Sequence, residues 1–410
     1  MQFLALDQMV PQDHRCRIVW RFVEGLDLEP FYAEIKATED NVGRPPIAPE
    51  ILVALWLLAT LDSIAFAREL GRRCETDMPY RWICGGVSVN YHTLSDFRVQ
   101  HGEKVRQLLT NCVTSLIQQD LVTLEELAQD GMRVRASAGS SSFRRKPTLE
   151  KLRQQAKQHV DELERQRADE SEQSKADARR KAAQQRAARE REERIKQALQ
   201  TNEELAKQRE KRKKGDGETT RTSTTDPEAR RMKMGDGGFR PAYNVQFASD
   251  GEARVIVAVD VNNEGTDGQQ LPPMLEQVEA RYDKRPGVML VDSAYATKNS
   301  VEVTESGGTK LVSSVPYSDR LTNHGKDPHE RQQGDSDHFA NFRVRMAEPE
   351  YQELYKKRPS VAEFPNAVCR NHGLRQFPVR GQVKVLAVTL WHALAFNFQR
   401  MIHLGAAEFA

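Results

Sequence analysis

The chain has 410 residues, of which 38% are hydrophobic and 29% are charged, and its formal net charge is only +2. This length allows two or three domains with cores of their own, and the near-neutral balance means that any surface for nucleic acid must come from local clusters of charge. The five cysteines are scattered without a Cys-x-x-Cys pair, which argues against a zinc knuckle or a disulfide framework and indicates a reducing compartment.

The start of the chain and its most apolar stretches predict neither export nor membrane insertion. No basic region precedes the short apolar run after Met1, so no signal peptide is predicted. The longest apolar run, 51–61, is well short of the roughly 20 residues that a membrane helix needs. The apolar helix predicted over 383–401 contains His392, Asn397 and Gln399, so it is expected to pack in a core. A cytoplasmic protein without membrane contact is expected.

Residues 1–122 predict a helical N-terminal domain. Asp13 is in place to cap its first helix, and a Gly-Arg-Pro-Pro break at 43–46 separates that helix from the next. Pro49 is well placed to open the second helix, which is apolar nearly all round and is predicted to form the core of this domain. The predicted helices cover 18–26, 49–61, 63–74 and an amphipathic stretch that ends near Leu121.

Basic residues collect on the later helices of this domain. Short helices that are joined by tight turns and carry basic side chains suit DNA end recognition. The aromatic residues Trp82, Tyr91 and Phe97 have a second interpretation, because such side chains more often pack in a core than stack on bases. The sequence therefore predicts a DNA-binding surface that is carried by Arg72, Arg73, Arg81, His92 and Arg98.

Residues 146–225 differ in composition from the rest of the chain. A basic run fills 207–214, and the Gly-, Thr- and Ser-rich stretch over 215–225 is predicted to be a flexible linker. The simplest interpretation is an exposed helical insertion, and the alternative is an arm that dimerises the protein or contacts the DNA backbone. A coiled-coil-like seam is predicted because apolar residues step by 3, 4, 4 and 3 at Leu149, Leu152, Ala156, Val160 and Leu163.

The remaining segments predict an α/β sheet that is flanked by helices. Alternating apolar residues over 124–136 indicate a strand with one buried face, and Asp250-Gly251 is predicted to join an antiparallel pair. Asp267 lies in the loop before a predicted helix and is expected to cap it. The strands are predicted over 124–136, 242–248, 254–261, 287–291 and 311–315, the helices near 269–282 and from about 347, and an irregular segment over 317–345.

Three carboxylates are candidates for a metal site. Asp130 lies on the first predicted strand, and Asp292 follows a later strand at its carboxyl end, where open α/β sheets place their sites. Two-metal phosphoryl transfer needs such clustered carboxylates. Glu363 is the third candidate, and Arg370 would share its face of a helix and suit a phosphate. Pro365 requires that this helix either kinks there or begins close to Glu363.

A set of short motifs occurs in a specific order along about residues 13–403. In chain order these motifs are Gly43-Arg44-Pro45, Tyr80-Arg81-Trp82, Thr93–Arg98, Gln129-Asp130-Gly131, Val134-Arg135-Ala136, Tyr243-Asn244-Val245-Gln246, Leu290-Val291-Asp292, Ala294-Tyr295, Tyr355-x-x-Arg358 with Glu363, Gly373-Leu374-Arg375-Gln376-Phe377 and Arg380-Gly381. Together they resemble the DDE-type transposases of bacterial insertion sequences, close to the IS-eleven-eighty-two group.

The resemblance implies an RNase H-like catalytic domain over 123–145 and 226–405, interrupted by the helical insertion at 146–225 and preceded by the DNA-binding domain at 1–122. It implies Asp130, Asp292 and Glu363 as the catalytic, metal-binding triad, with two Mg²⁺ ions for which Mn²⁺ can substitute. The family signature maps to Tyr355, Arg358 and Glu363, with Arg370 where lysine is usual. Ser293 stands where glycine is common, and Phe364-Pro365 departs from the usual order.

The implied reaction is hydrolysis at the terminal inverted repeats of the element, followed by attack of a 3′-hydroxyl on target DNA. The implied partner is double-stranded DNA, and a homodimer or higher assembly is expected because two ends must be cut in one synaptic complex. Two alternatives remain. One is an RNase H-like nuclease without strand transfer, and the other is a non-catalytic DNA-binding protein derived from a transposase.

Overall fold

The computed structural model describes residues 6–33, 46–168 and 175–406. The chain divides into two units, the first comprising 1–132, 244–375 and 383–410 and the second comprising 133–243 and 376–382. The Gly43-Arg44-Pro45 motif lies outside the described residues. Within the described ranges, no helix combines the length and apolar character that a membrane crossing requires.

The first unit begins with helices that surround an apolar one. Helix α3 opens at Pro49 as predicted, and nearly all its side chains are buried. His14, rather than Asp13, caps α1, because the His14 ring accepts a hydrogen bond from the Cys16 N–H. The predicted amphipathic helix ending near Leu121 is present as α7, which ends at Gln118, and a separate helix, α6, precedes it. These helices are α1 (Arg15–Glu24), α2 (Glu29–Tyr32), α3 (Pro49–Leu61), α4 (Ala67–Thr76), α5 (Met78–Cys84), α6 (Tyr91–Gln100) and α7 (Gly102–Gln118).

A mixed sheet forms the other part of the first unit. Strands β1, β7 and β8 run parallel, whereas β5 and β6 form the antiparallel pair that the turn at Asp250-Gly251 predicts. The order across the sheet is β6-β5-β1-β7-β8. The first residues of β5 belong to the second unit, and there they pair with β4. The strands are β1 (Glu126–Arg135), β2 (Phe143–Arg144), β3 (Thr222–Ser223), β4 (Arg230–Lys233), β5 (Phe239–Asp250), β6 (Ile256–Asn262), β7 (Val288–Leu290) and β8 (Lys310–Val312).

Helices of the first unit also follow the strands. The segment predicted to be irregular over 317–345 contains two of them, α12 and α13. Helix α13 begins at a Ser336 cap and buries Phe339 and Phe342, and Arg343 forms a 2.8 Å ion pair with Asp335. These later helices are α10 (Leu271–Tyr282), α11 (Lys298–Ser306), α12 (Ser318–Asn323), α13 (Asp337–Arg345), α14 (Pro349–Lys356), α15 (Phe364–Asn371) and α16 (Gln382–His403).

The second unit contains a pair of long helices, α8 (Lys146–Ala168) and α9 (Lys175–Arg212). Leu149 near the start of α8 packs with Ala198 and Leu199 of α9. Farther along α8, the Leu163 carbonyl accepts a 3.2 Å hydrogen bond from Gln185, which lies earlier in α9. Because contacts later in α8 meet residues earlier in α9, the two helices are antiparallel. The supercoil that their seam favours stays a prediction.

Short strands lie at the base of this helix pair. Strand β3, at Thr222–Ser223, pairs with β2, so part of the predicted linker is buried and regular. Strand β4 pairs antiparallel with the first residues of β5. The buried Tyr243 donates a 2.8 Å hydrogen bond to Asp226, which fixes the chain between β3 and β4.

Candidate active site

Asp130 lies on β1, and Asp292 lies two residues beyond the end of β7, the strand that runs parallel beside β1. The parallel register of β1 and β7 pairs Leu127 with Met289 and Ala128 with Leu290. Strand β7 ends at Leu290, and the same register continued two residues past that end would place Asp292 level with Asp130. Residues that are level on adjacent parallel strands direct their side chains to the same face of a sheet. The strand alignment therefore agrees with the prediction that these two carboxylates lie near each other.

The Asp130 carboxylate is held by two other side chains. Its Oδ2 accepts a 2.9 Å hydrogen bond from Asn366 Nδ2, and its Oδ1 lies 4.0 Å from Arg358 Nη1. The side chain is 23% exposed. Burial raises the pKa of this carboxyl to about 6, although Arg358, the Gly131 N–H and Asn366 each favour the ionised form.

A π-helical turn at Pro359–Glu363 directs Glu363 toward Arg358. These two residues are five positions apart, a spacing that in a regular α-helix places side chains on different faces. The π-helix closes i to i+5, so it brings them together. The Glu363 carboxylate lies 3.1 Å from Arg358 Nη2 and is 55% exposed. Arg358 thus links Glu363 to Asp130.

Helix α15 begins directly after this turn, at Phe364. Pro365 lies in its first turn, where the missing N–H costs no hydrogen bond, so the helix begins close to Glu363 rather than kinking. The Phe364 ring packs 5.6 Å from that of Phe396 on α16, and Cys369 is buried on the same helix. This packing fixes α15 and thereby places Asn366 against Asp130.

The oxygen donors around Asp130 are of the kind that Mg²⁺ accepts. Among the described residues, no group of three or more His, Cys, Asp or Glu side chains could hold a metal ion. Asn366 adds an amide oxygen, since it is 4% exposed and its buried Oδ1 has no hydrogen-bond partner within the described ranges. Magnesium needs only one or two carboxylates because it retains several waters. Asp130 and the Asn366 oxygen supply donors of this kind, and Asp292 stays the predicted second carboxylate.

A buried hydrogen-bond network packs against the opposite face of β1. Gln246 Oε1 accepts hydrogen bonds from Gln129 Nε2 at 2.9 Å and from the Tyr295 hydroxyl at 2.6 Å. Gln246 Nε2 donates to Asp267 Oδ1 at 2.9 Å, and Asn244 Nδ2 donates to the same oxygen at 2.6 Å. Residues of the Tyr-Asn-Val-Gln motif therefore pack and form hydrogen bonds against the residues on both sides of Asp130.

Gly131 leaves the space that this network fills. A Cβ atom at this position would lie 2.3 Å from Gln246 Nε2 and 2.8 Å from Asp267 Oδ1. Any side chain would displace the hydrogen-bonded groups. The expected capping role of Asp267 is wrong, because α10 follows Gln270 and has no side-chain cap. Asp267 accepts hydrogen bonds from the Asn244 and Gln246 side chains, which are distant in sequence. The local sequence therefore does not distinguish this buried role from helix capping.

The remaining signature residues lie on the helices near this edge. The Tyr355 hydroxyl is 3.5 Å from Ser314 Oγ, just beyond the end of β8. Arg370 is exposed on α15. Arg358 Nη1 is buried and has no hydrogen-bond partner in the described part of the chain. Asn366 was not predicted, and its only sequence signal is its position three residues after Glu363.

The predicted DNA-binding residues of the N-terminal helices differ in exposure. Arg81 and His92 are exposed. Arg72 and Arg73 pair with Glu69, and Arg73 also pairs with Asp77. Trp82 stacks edge-on against Trp20, and Phe97 is buried, so packing accounts for both aromatic rings.

Arg98 is a correction to the predicted set. It is 6% exposed, and its guanidinium lies 4.2 Å from the centre of the buried Trp56 ring. Its Nη1 donates a 2.6 Å hydrogen bond to the Ala65 carbonyl. The guanidinium group contacts Trp56 and the Ala65 carbonyl in the protein interior, so Arg98 is not available to DNA.

Two family models match the chain. Residues 4–100 match the model described as Transposase domain (DUF772). Residues 215–398 match the model described as Transposase DDE domain, and this match includes Asp292 and Glu363 but begins after Asp130. No curated protein matches the chain, and neither does any solved structure.

Proposed function

We propose the function of this chain from one premise, which is that it belongs to the DDE-type transposases of insertion sequences. It binds the terminal inverted repeats of its element, cleaves DNA there in a metal-dependent reaction, and joins the resulting 3′-hydroxyl to target DNA. The family implies an RNase H-like fold, with which the mixed sheet of the first unit agrees. The placement of this chain in the IS-eleven-eighty-two group is part of the proposal.

The observation that carries this proposal is the alignment of Asp130 with Asp292. The β1–β7 register, continued two residues past Leu290, supports a common location for these two acids, which are 162 residues apart in sequence. Arg358 connects Glu363 to the same place. A shared site explains these links between separate elements better than three local surface charges do.

Asp130 and Asp292 are the carboxylates that would hold the divalent ions, with the Asn366 oxygen beside them and Glu363 as the third acid. Two Mg²⁺ ions, for which Mn²⁺ can substitute, supply stabilisation of the attacking and leaving oxygens of phosphoryl transfer when they are bound. Asn366 fixes the orientation of Asp130. Arg358 Nη1 is buried and has no hydrogen-bond partner in the described part of the chain, so it is proposed to bind a phosphate oxygen, and Tyr355 and Arg370 are proposed to contact the same DNA strand.

The proposed partner is double-stranded DNA, both as transposon ends and as target. Arg81 and His92 on the N-terminal helices are proposed to contact the ends, with Arg72 and Arg73 beside them. A homodimer or larger assembly is proposed on DNA, because both ends must be cut within one complex.

The substitution Asp130→Asn tests the catalytic assignment. It removes a ligand charge but keeps the shape, so we expect unchanged affinity for end-bearing DNA and a loss of Mg²⁺-dependent cleavage of about 10²–10⁴-fold. The exposed Asp319→Asn is the matched control and should cleave at the wild-type rate. Cleavage by Asp130→Asn at the wild-type rate would show that the assignment is wrong.

Pre-cleaved ends separate the transposase from the two alternatives. A transposase joins them to target DNA in the presence of Mg²⁺, whereas a nuclease cuts DNA but leaves these ends unjoined. A non-catalytic descendant would neither cut nor join, and calorimetry would detect no Mg²⁺ binding with DNA present.

A further inference from the structure

Five arginines line one cleft of the second unit. The cleft has a volume of about 450 Å³. No acidic residue lines it, and the other lining side chains are two threonines and two apolar residues. The lining arginines are Arg145, Arg209, Arg221, Arg230 and Arg231.

Separate segments of the chain bring these arginines together. The pairing of β2 with β3 aligns Arg144 with Thr222, so the next positions along these strands, Arg145 and Arg221, are also neighbours. Arg209 comes from the last turn of α9, and Arg230 and Arg231 come from β4. Five like charges from four segments would repel one another without a counterion, so their convergence indicates an anionic ligand.

Four of the five guanidinium groups are unpaired. Arg145, Arg209, Arg221 and Arg231 are exposed, and none of them has an ion pair or side-chain hydrogen bond with another described residue. The nearby acid Glu210 instead accepts hydrogen bonds from the backbone N–H groups of Gly215 and Gly217. Glu203 pairs with Lys146 at 2.9 Å. Glu210 and Glu203 are therefore engaged elsewhere, and the carboxylates that favour the charged form of Arg230 are Glu228, Asp226 and Glu204.

Two buried groups complete the cleft. Thr220 is 2% exposed, and its hydroxyl has no hydrogen-bond partner in the described part of the chain. Arg230 is held by hydrogen bonds of 2.8, 2.9 and 3.2 Å from its Nη1 to three consecutive carbonyls, those of Pro227, Glu228 and Ala229. Burial lowers the pKa of Arg230. A fixed cation and an unsatisfied hydroxyl are the features of a built anion site.

We propose that this arginine cleft binds the phosphate backbone of double-stranded DNA. Guanidinium groups match phosphate oxygens in geometry and charge, and several of them around an open cleft suit a chain of phosphates better than a single one. The exposed basic residues of 207–214 continue the positive surface along the end of α9. The inference rests on the proposed function, which supplies the DNA, and it gives the helical insertion a role in holding the substrate.

The double substitution Arg145→Gln with Arg221→Gln in the full chain tests the cleft. Binding to a duplex without repeat sequence is measured by fluorescence anisotropy across a range of NaCl concentrations. We expect affinity at low salt to fall at least about tenfold, and the slope of log K against log[NaCl] to decrease by about 2, since each lost phosphate contact contributes about 0.9.

The matched control is Arg179→Gln with Arg180→Gln, which removes the same charge from exposed positions of α9 outside the cleft. This control should retain the wild-type affinity and slope. The charge-preserving pair Arg145→Lys with Arg221→Lys should restore most of the slope. Thermal unfolding verifies that each variant is folded, and the single exposed substitution Arg231→Gln replaces the double one if that protein is unstable.

Three outcomes would overturn the proposal. The glutamine pair could bind duplex DNA with the wild-type affinity and slope. It could lose only the stabilisation that inorganic phosphate gives to the wild-type protein, which would make the cleft a small-anion site. The control pair could weaken DNA binding equally, which would show that the affinity depends on the total charge and not on the cleft. Cleavage by Asp130→Asn at the wild-type rate would contradict the proposed catalysis but not the cleft, because the salt slope is measured without Mg²⁺.

Discussion

Asn366 connects helix α15 to strand β1 through a hydrogen bond to Asp130. Its Nδ2 donates to Asp130, and its Oδ1 is buried without a partner among the described residues. A buried amide whose oxygen has no hydrogen-bond partner lowers the stability of the fold. Such a group therefore indicates that the oxygen has a functional role. The Nδ2 group orients Asp130, and the free Oδ1 is the proposed metal ligand beside it.

The substitution Asn366→Leu keeps the volume of the side chain and removes both polar atoms. We expect cleavage at a fixed low Mg²⁺ concentration to fall about 10–100-fold, as for other groups that orient metal ligands, and the half-saturating Mg²⁺ concentration to rise. Affinity for DNA should not change. Titration of the cleavage rate with Mg²⁺ measures both effects.

The exposed Asn371→Leu, on the same helix, is the control and should behave as the wild type. A purely structural role for Asn366 would lower thermal stability and the cleavage rate without moving the Mg²⁺ midpoint. That result would contradict the positioning role.

The π-turn at Pro359–Glu363 is the element that sets the geometry of Glu363. A π-turn is one residue longer than the α-helical turn that it replaces. The helices on both sides keep their own buried faces, with Tyr351 before the turn and Cys369 after it. The extra residue is therefore absorbed locally, and Arg358 still faces Glu363.

Deletion of the exposed Ser360 should convert this turn to a regular α-helix. Arg358 and Glu363 would then be four positions apart and would still share a face. We expect a folded protein whose melting temperature lies within a few degrees of the wild-type value. Circular dichroism during heating measures it.

Deletion of Gln352 from the regular helix α14 is the comparison. It turns the residues on one side of the deletion by about 100° and moves Tyr351 or Tyr355 off its face. This variant should be much less stable. Equal losses in the two deletions would show that the π-turn does not absorb a residue.

Elements with a local signal could be predicted from the sequence. Helix α3 follows from Pro49 and a continuous apolar run, and the β5–β6 pair follows from alternation around Asp250-Gly251. The parallel pairing of β1 with β7 agrees with the predicted proximity of Asp130 and Asp292, which stays a prediction. Each of these features depends on a pattern within a few residues or on a general property of sheets.

Features that depend on distant partners could not be predicted. Helix α13 lies in a polar segment, and its Arg343–Asp335 ion pair becomes visible only in the folded chain. Arg98 has the sequence context of a surface cation, but Trp56 lies under it. Asp267 resembles a helix cap and instead binds Asn244 and Gln246. In each case a long-range contact outweighs the local preference.

At the scale of the whole molecule, stability depends on a buried acid of the second unit. Asp226 is fully buried, and it accepts one hydrogen bond from Tyr243 while its Oδ2 has no partner in the described ranges. Burial raises the pKa of this carboxyl above its ordinary value. The folded state therefore binds the proton more tightly than the unfolded state does. Stability from this group is present at low pH and is lost as the pH rises through the folded-state pKa.

The substitution Asp226→Asn replaces the charge with a neutral group that can still accept from Tyr243. We expect it to raise the melting temperature by a few degrees at pH 8, and this gain should shrink as the pH approaches 4. Thermal unfolding of both proteins across this range measures the difference. A variant that is less stable by the same amount at every pH would contradict the predicted linkage.

Under the proposal that the helical insertion contacts DNA, the length of α9 sets a scale for the duplexes that it can bind. Its 38 residues extend about 57 Å along the helix axis, which equals the rise of about 17 base pairs of duplex. An oligonucleotide shorter than that cannot run the length of this helix, whatever its sequence. Footprinting with duplexes of graded length would therefore detect protection along the whole of α9 only above this length. The sequence of a short repeat does not reveal this minimum length.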